Sequence, residues 1–154
     1  MLKEAPKASG ELKIVLRDEN GNIKDERRVK NLIVNSGLEY IVSRMKDATA
    51  TAMSHMEVGT GSTAAAAGDT ALGAAVSGAR VALDSTTIPD GTPDDDLVYV
   101  ATFGAGTGTD ALTEAGIFNA SSGGTMLCRT VFSTVNKGAN DSLEITWTIS
   151  LSAS

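Results

Sequence analysis

Residues that support disulfides, metal sites and aromatic stacking are scarce in this 154-residue chain, which has one cysteine, one histidine, one tryptophan and two tyrosines. Because Cys128 stands alone, the chain can form neither an intramolecular disulfide nor a multi-cysteine metal site, and we interpret Cys128 as a small buried hydrophobic side chain. No segment reaches the roughly 18 apolar residues of a membrane span, and the start, MLKEAPKASG, has no apolar signal-peptide region. The sequence therefore predicts a soluble protein with no targeting signal and no membrane partner.

Charge and the scarcity of acid–base residues argue against two further classes of protein. Thirteen basic against nineteen acidic residues give a formal net charge of -6, which disfavours direct nucleic-acid binding because that binding depends on cations that neutralise phosphates. A Ser-His-Asp catalytic triad would have to use His55, the only histidine, but the sequence contains no G-x-S-x-G nucleophile motif. We therefore interpret His55 as a surface or interface residue. Asp94, Asp95 and Asp96 could hold a hard cation, but they lack the ligand spacing of an EF-hand and indicate a solvated turn. We therefore predict no enzymatic activity, no catalytic or metal-binding residue and no cofactor.

Short segments with alternating apolar and polar residues dominate the rest of the chain and predict strands. In SLEITWTISL, residues 142–151, every second side chain from Leu143 to Leu151 is apolar, which is typical of a strand with one buried face. ELKIVLRDENGNIKDERRVKN predicts a hairpin that turns at Asn20-Gly21 and returns on a charged edge strand. Several such strands, with turn signals between them, favour a mainly β fold: an antiparallel β-sandwich or barrel-like domain over residues 11–154.

One short amphipathic helix is predicted over about residues 36–46, within NLIVNSGLEYIVSRMK. Ser36 is a candidate N-cap, and Glu39 falls three residues later, as in a capping box. Four apolar residues have the spacing of a single helical face: Leu38, Ile41, Val42 and Met45. We expect that face to be buried against a sheet.

The first ten residues predict a flexible N-terminal arm. Pro6 and Gly10 interrupt regular structure, and Lys3 and Lys7 keep the segment solvated. Such an arm is either a disordered terminus or a segment that becomes ordered on a neighbouring subunit. Under the second interpretation, Lys3 and Lys7 are candidate protein-interface residues.

The stretch VGTGSTAAAAGDTALG, residues 58–73, allows a different interpretation. Gly59, Gly61 and Ala64 fit the G-x-G-x-x-A spacing that can hold a dinucleotide pyrophosphate, and Asp84 lies about twenty residues later, where an acid that binds ribose would sit. However, the strand before the motif is short and polar, and three glycines interrupt the helix that should follow it. The sequence therefore favours a long connection of small residues. Ala65 and Ala66 are its candidate contact residues for another subunit.

Four segments in this order resemble small virion structural proteins of tailed bacteriophages: NSGLEYIVSRM, MEVGTGSTAAAAGDTAL, TEAGIFNASSGGTMLCRTVF and VNKGANDSLEITWTI. The resemblance covers the chain from about Asn31 to Leu151 and carries no catalytic signature. It implies a protein made in the host cytoplasm and incorporated into the virion. The implied partners are the major capsid protein or proteins of the tail and neck.

Three roles remain open under this resemblance. A capsid decoration, or cement, protein is favoured, because the chain reads as one small domain without a fibre repeat. The first alternative is a tail, neck or fibre-attachment adaptor, and the second is a host-surface carbohydrate-binding module, which would need exposed aromatic platforms. For the structural roles we expect a homo-oligomer, and specifically a trimer, because capsid local threefold positions and fibres both have threefold symmetry. Arg27 and Arg28, on the charged edge strand, are further candidate interface residues.

Overall fold

The computed structural model describes residues 7–46, 50–89 and 95–152. Within these ranges the chain forms strands and one helix. In chain order they are β1 (Lys7–Arg17), β2 (Ile23–Lys30), β3 (Leu32–Ile33), α1 (Asn35–Met45), β4 (His55–Gly59), β5 (Ala75–Ala82), β6 (Ser85–Thr87), β7 (Asp96–Phe103), β8 (Ala111–Phe118), β9 (Met126–Asn136) and β10 (Ser142–Ser152).

The strands form two five-stranded sheets, in the orders β2-β1-β10-β7-β6 and β3-β9-β8-β4-β5, which we call sheet A and sheet B. All of the strand pairs are antiparallel. The predicted antiparallel β-sandwich is therefore confirmed, and no closed barrel forms within the described ranges.

One hydrophobic core lies between the sheets and is built from alternating strand residues of both. From β10 it takes Leu143, Ile145 and Trp147, which are fully buried, and Ile149. Leu151, at the end of this strand, is 43% exposed. The alternation in residues 142–151 therefore predicts the buried face correctly for all but the last of its apolar residues.

The predicted hairpin is β1 and β2, joined by a turn over residues 18–22. The Asp18 carboxylate closes this turn, because its Oδ1 accepts hydrogen bonds from the backbone amides of Asn20 and Asn22, both at 2.9 Å. The charged return strand β2 forms the edge of sheet A, as the sequence predicts.

Residues 7–10, which the sequence analysis assigns to the N-terminal arm, belong to β1. Lys7 lies opposite Ser152 and Gly10 lies opposite Ile149 in the ladder with β10. The small side chains of Ser9 and Gly10 do not end the strand here, since a neighbouring strand supplies the backbone partners. Residues 1–6, including Lys3, lie outside the described residues.

The helix α1 is present, but its predicted cap is wrong, and of the four residues of its predicted buried face only Ile41 packs against the core. Val34 occupies the N-cap without a side-chain hydrogen bond, while Ser36 Oγ donates to Met126 O at 2.8 Å. The helix packs on β9 through Gly37, where a Cβ atom would lie only 2.0 Å from Leu127 O. This close approach, rather than the apolar spacing, sets the rotation of the helix. Leu38, Val42 and Met45 are consequently exposed.

Candidate functional site

The face of sheet B that points away from sheet A carries a long loop, residues 60–74, which we call the alanine loop. Ala115 and Ile117 of β8 belong to the main core, so the alternating residues Glu114 and Phe118 lie on the opposite face. Phe118 forms a second small cluster there with Val34 and Met126, and Leu72 of the loop packs against this cluster. Sheet B is thus covered on both faces.

Glu114 holds both ends of the alanine loop through backbone amides. Its Oε1 accepts from Gly61 N at 2.9 Å and from Ala74 N at 2.7 Å, and its Oε2 accepts from Gly73 N at 2.8 Å. The Glu114 side chain is fully buried. A buried carboxylate is stable only when it is well partnered, so the loop and the carboxylate depend on each other.

Arg129, on the neighbouring strand β9, supplies the compensating charge and reaches the middle of the loop. Its Nη2 lies 2.8 Å from Glu114 Oε2, and its Nη1 lies 2.8 Å from Asp69 Oδ2. Nη2 also donates to Thr63 O at 3.0 Å. Asp69 in turn accepts from Ala66 N at 2.9 Å. We call Glu114, Arg129 and Asp69 the loop clamp.

The pKa values of the clamp residues agree with a charged network. Burial raises the pKa of Glu114, but the amides of Ala74 and Gly73 and the Arg129 guanidinium outweigh burial and leave this pKa below its ordinary value. The amide of Ala66, followed by Arg129, lowers the pKa of the Asp69 carboxyl. Both carboxyls therefore remain ionised at neutral pH and keep their bonds to the loop.

The clamp explains the resemblance of this loop to a pyrophosphate-binding motif. The Gly61 amide faces an internal carboxylate, and a Cβ atom at Gly61 would lie 2.5 Å from Glu114 Oε1. No helix begins at this loop, and the strand before it, β4, is antiparallel to both of its neighbours. The structure therefore agrees with a long connection of small residues, which the sequence favours over a dinucleotide-binding loop.

The candidate interface residues lie on separate parts of the described surface. Ala66 is exposed and Ala65 is partly buried on the alanine loop, and Lys7 is exposed at the start of β1. On β2, Arg28 Nη1 lies 3.2 Å from Glu11 Oε1 and its side chain is 67% exposed. Arg27 pairs with Asp25, and its Nη1 also donates to Ser133 O at 2.6 Å. Arg27 therefore ties the edge of sheet A to β9 of sheet B.

An open groove of about 400 Å³ lies between α1 and the strands β6, β7 and β10. Its apolar wall includes Tyr40, Ile41, Met53, Tyr99, Leu127 and Ile149. Arg44 also lines the groove and donates from Nη1 to Ala50 O at 3.0 Å. Because its lining is mostly apolar, the groove is suited to contact with another apolar surface.

Three other residues have side chains that could take part in chemistry: His55, Cys128 and Lys137. Each is hydrogen-bonded or buried within the fold. The Oγ of Ser54 and the Nδ1 of His55, which are neighbours in sequence, lie 2.8 Å apart. Cys128 is buried, as the sequence predicts, and burial raises the pKa of its thiol. Lys137 Nζ donates to Gly104 O at 2.9 Å, and burial lowers the pKa of this amine.

The structure also bears on two further hypotheses from the sequence. These are a cation site at Asp94, Asp95 and Asp96, and an exposed aromatic surface that would bind carbohydrate. Asp94 lies outside the described residues, and Asp96 accepts a hydrogen bond from Ser150 Oγ. In the ranges that the structure describes, no three His, Cys, Asp or Glu residues cluster as a metal site would require. Trp147 is fully buried and Tyr99 is 4% exposed, so neither presents a ring to a carbohydrate.

Sequence reasoning missed the loop clamp, although a signal for it is present. Glu114 in TEAGIF and Arg129 in MLCRTVF are each the only charged residue in an otherwise uncharged stretch of a predicted strand. Two opposite charges in buried strands are stable together only as a pair. The partnership with Asp69 has no such signal, because it depends on the path of the loop.

Among the described residues, no helix has the length and apolar character needed to cross a membrane. No family model, no curated protein and no solved structure matches this chain.

Proposed function

We propose that this chain is a non-enzymatic structural protein of a tailed-phage virion and that it acts as a capsid decoration protein. The proposal combines the resemblance of four sequence segments with a fold whose most elaborate buried network holds one surface loop in place. A tail, neck or fibre-attachment adaptor is the alternative role, and it differs from decoration mainly in the number of copies per particle.

The observation that carries the proposal is the loop clamp. Five side-chain and backbone groups of the alanine loop bond to Glu114 or Arg129, and these two residues are buried. The polar groups of the clamp thus point inward, while Ala64, Ala66 and Ala67 are exposed. A fixed surface of small side chains can lie flat against another subunit with little loss of conformational entropy on binding.

A decoration protein needs only modest affinity at each contact. Symmetric shells repeat the same contact many times, and a protein that touches several neighbouring subunits gains from a high effective concentration. The alanine loop would supply one such contact by burying its methyl groups against the shell. Arg28 and Lys7, both exposed, would add contacts that depend on salt concentration.

Binding of purified protein to particles assembled without it tests this role. Replacing Ala66, the exposed residue of the pair Ala65 and Ala66, by glutamate should reduce the bound amount at least tenfold while leaving the thermal unfolding temperature within a few degrees. The matched control is Ala105→Glu, which adds one charge at an exposed alanine outside the alanine loop. Equal binding of both variants would contradict the proposed contact surface. Failure of the wild-type protein to bind any particle would contradict the role itself.

A further inference from the structure

The exposed side of α1 carries a row of large apolar side chains, which we call the helix stripe: Leu38, Val42 and Met45. Their exposed fractions are 43%, 64% and 84%. They lie at i, i+4 and i+7, so they form one continuous strip along the helix. Ile41, which lines the groove between α1 and the strands β6, β7 and β10, borders this strip. An exposed apolar row on a helix whose opposite face is already packed marks a contact with another molecule.

Two charges of opposite sign flank the helix stripe on one side. Glu39 lies near the first turn of α1, and Lys46 lies immediately after its last residue. Both are exposed, and neither belongs to an ion pair within the described residues. They are seven residues apart, so they lie on the same side of the helix near its two ends.

We propose that the helix stripe binds the same stripe of a second copy of this chain, with the two helices antiparallel about a twofold axis that passes beside Val42. In this arrangement Leu38 meets the partner's Met45. The same axis brings Glu39 next to the partner's Lys46, and Lys46 next to the partner's Glu39. A parallel arrangement would place each of these charges level with its own kind. The distribution of charge thus specifies both the partner and its orientation.

This contact is small, since α1 has eleven residues. An interface below about 1,200 Å² is typical of weak or transient association, so we expect a dissociation constant on the order of 100 μM for the isolated protein. The proposed dimer does not depend on the proposed virion role, because it is argued from the residues of α1 and from Lys46 alone. Conversely, a chain that stays monomeric in solution could still decorate a shell.

Sedimentation equilibrium of the full chain, from about 10 μM to 1 mM, measures this association. The wild-type protein should fit a monomer–dimer equilibrium. Val42→Asp should weaken dimerisation at least tenfold without changing the unfolding temperature, since the Val42 side chain is largely exposed. The matched control is Ile23→Asp, which changes an exposed apolar residue on β2 and should leave the equilibrium unchanged.

Charge reversal tests the orientation. Glu39→Lys and Lys46→Glu should each weaken the dimer about fivefold, because each places like charges together across the axis. The double variant should restore the wild-type constant to within about twofold, because it exchanges the two charges. A double variant weaker than either single variant would overturn the antiparallel arrangement. A monomer at the highest concentration, a trimer, or a dimer that Val42→Asp leaves unchanged would overturn the proposal.

Discussion

The Nε and Nη2 atoms of Arg129 both donate to one carboxylate oxygen of Glu114, Oε2, at 3.0 and 2.8 Å. The other oxygen, Oε1, is thereby left to the amides of Gly61 and Ala74. One ion pair between neighbouring strands therefore also fixes a loop that lies far from both residues in sequence. The consequences of this arrangement can be measured as stability.

Replacing Glu114 by glutamine should lower the free energy of unfolding by about 3–5 kcal/mol, the usual cost of removing one partner of a buried ion pair. The amide keeps the shape of the carboxyl but leaves the buried Arg129 undercompensated, and it cannot accept from every donor that faces Glu114. Chemical denaturation measures the difference. The matched control is Glu144→Gln on the exposed face of β10, which should change stability by less than about 0.5 kcal/mol. Equal effects for the two variants would contradict the clamp.

The lowered pKa of Glu114 predicts a loss of stability in acid. Because the pKa of the folded state lies below the ordinary value of 4.5, the unfolded chain takes up this proton at a higher pH than the folded chain does. The stabilisation is therefore complete above that ordinary value and is lost as the pH falls through the folded pKa. Asp69 shifts in the same direction from 3.8.

Unfolding free energies of the wild-type protein and of Glu114→Gln between pH 7 and pH 3 check this prediction. The difference between them should be constant at neutral pH and should narrow below about pH 4.5. A difference that widens in acid would show that the folded pKa of Glu114 is raised rather than lowered.

Gly61→Ala should destabilise the alanine loop, because the added Cβ atom would lie 2.5 Å from Glu114 Oε1. Overpacking of this kind typically costs about 1–3 kcal/mol. Gly68→Ala, in the same loop, is the matched control, since a Cβ atom there meets nothing within 4 Å. Hydrogen exchange of the Gly73 and Ala74 amides should become faster in Gly61→Ala and stay unchanged in Gly68→Ala. If both variants exchange alike, the glycine is not required by the clamp.

The strands that the sequence predicts well are those with a local pattern. The alternation from Leu143 to Ile149 and the turn at Asn20-Gly21 each specify an element without reference to distant residues. The sequence does not predict β3 or β6, because two or three residues, such as Leu32–Ile33, are too few to show a period. Their strand conformation comes from pairing with β9 and β7.

The errors at α1 have a different origin. Its apolar spacing correctly predicts a helix, but the buried face is set by Gly37, which lets the backbone approach Leu127 O. The clamp, likewise, joins residues that are far apart in sequence: Asp69 and Arg129 meet only because the loop crosses sheet B. Tertiary packing determines both the buried face of α1 and the loop clamp. The local sequence pattern does not predict either of them.

Gly37→Ala tests whether this contact orients the helix. Alanine favours a helix by about 1 kcal/mol over glycine, but its Cβ atom would lie 2.0 Å from Leu127 O, so we expect the clash to outweigh the gain and to lower stability by about 1–3 kcal/mol. Val42→Ala, at an exposed position of the same helix, should be nearly neutral. A Gly37→Ala variant more stable than the wild type would show that α1 is held from elsewhere.

The number of copies of this protein in purified virions tests the proposed function most directly. Mass spectrometry with isotope-labelled peptides from the chain as internal standards provides that number relative to the major capsid protein. Decoration of a symmetric shell predicts on the order of hundreds of copies per particle. About a dozen copies or fewer would instead indicate the tail or neck role. The complete lack of the protein from virions whose genome encodes it would contradict the account.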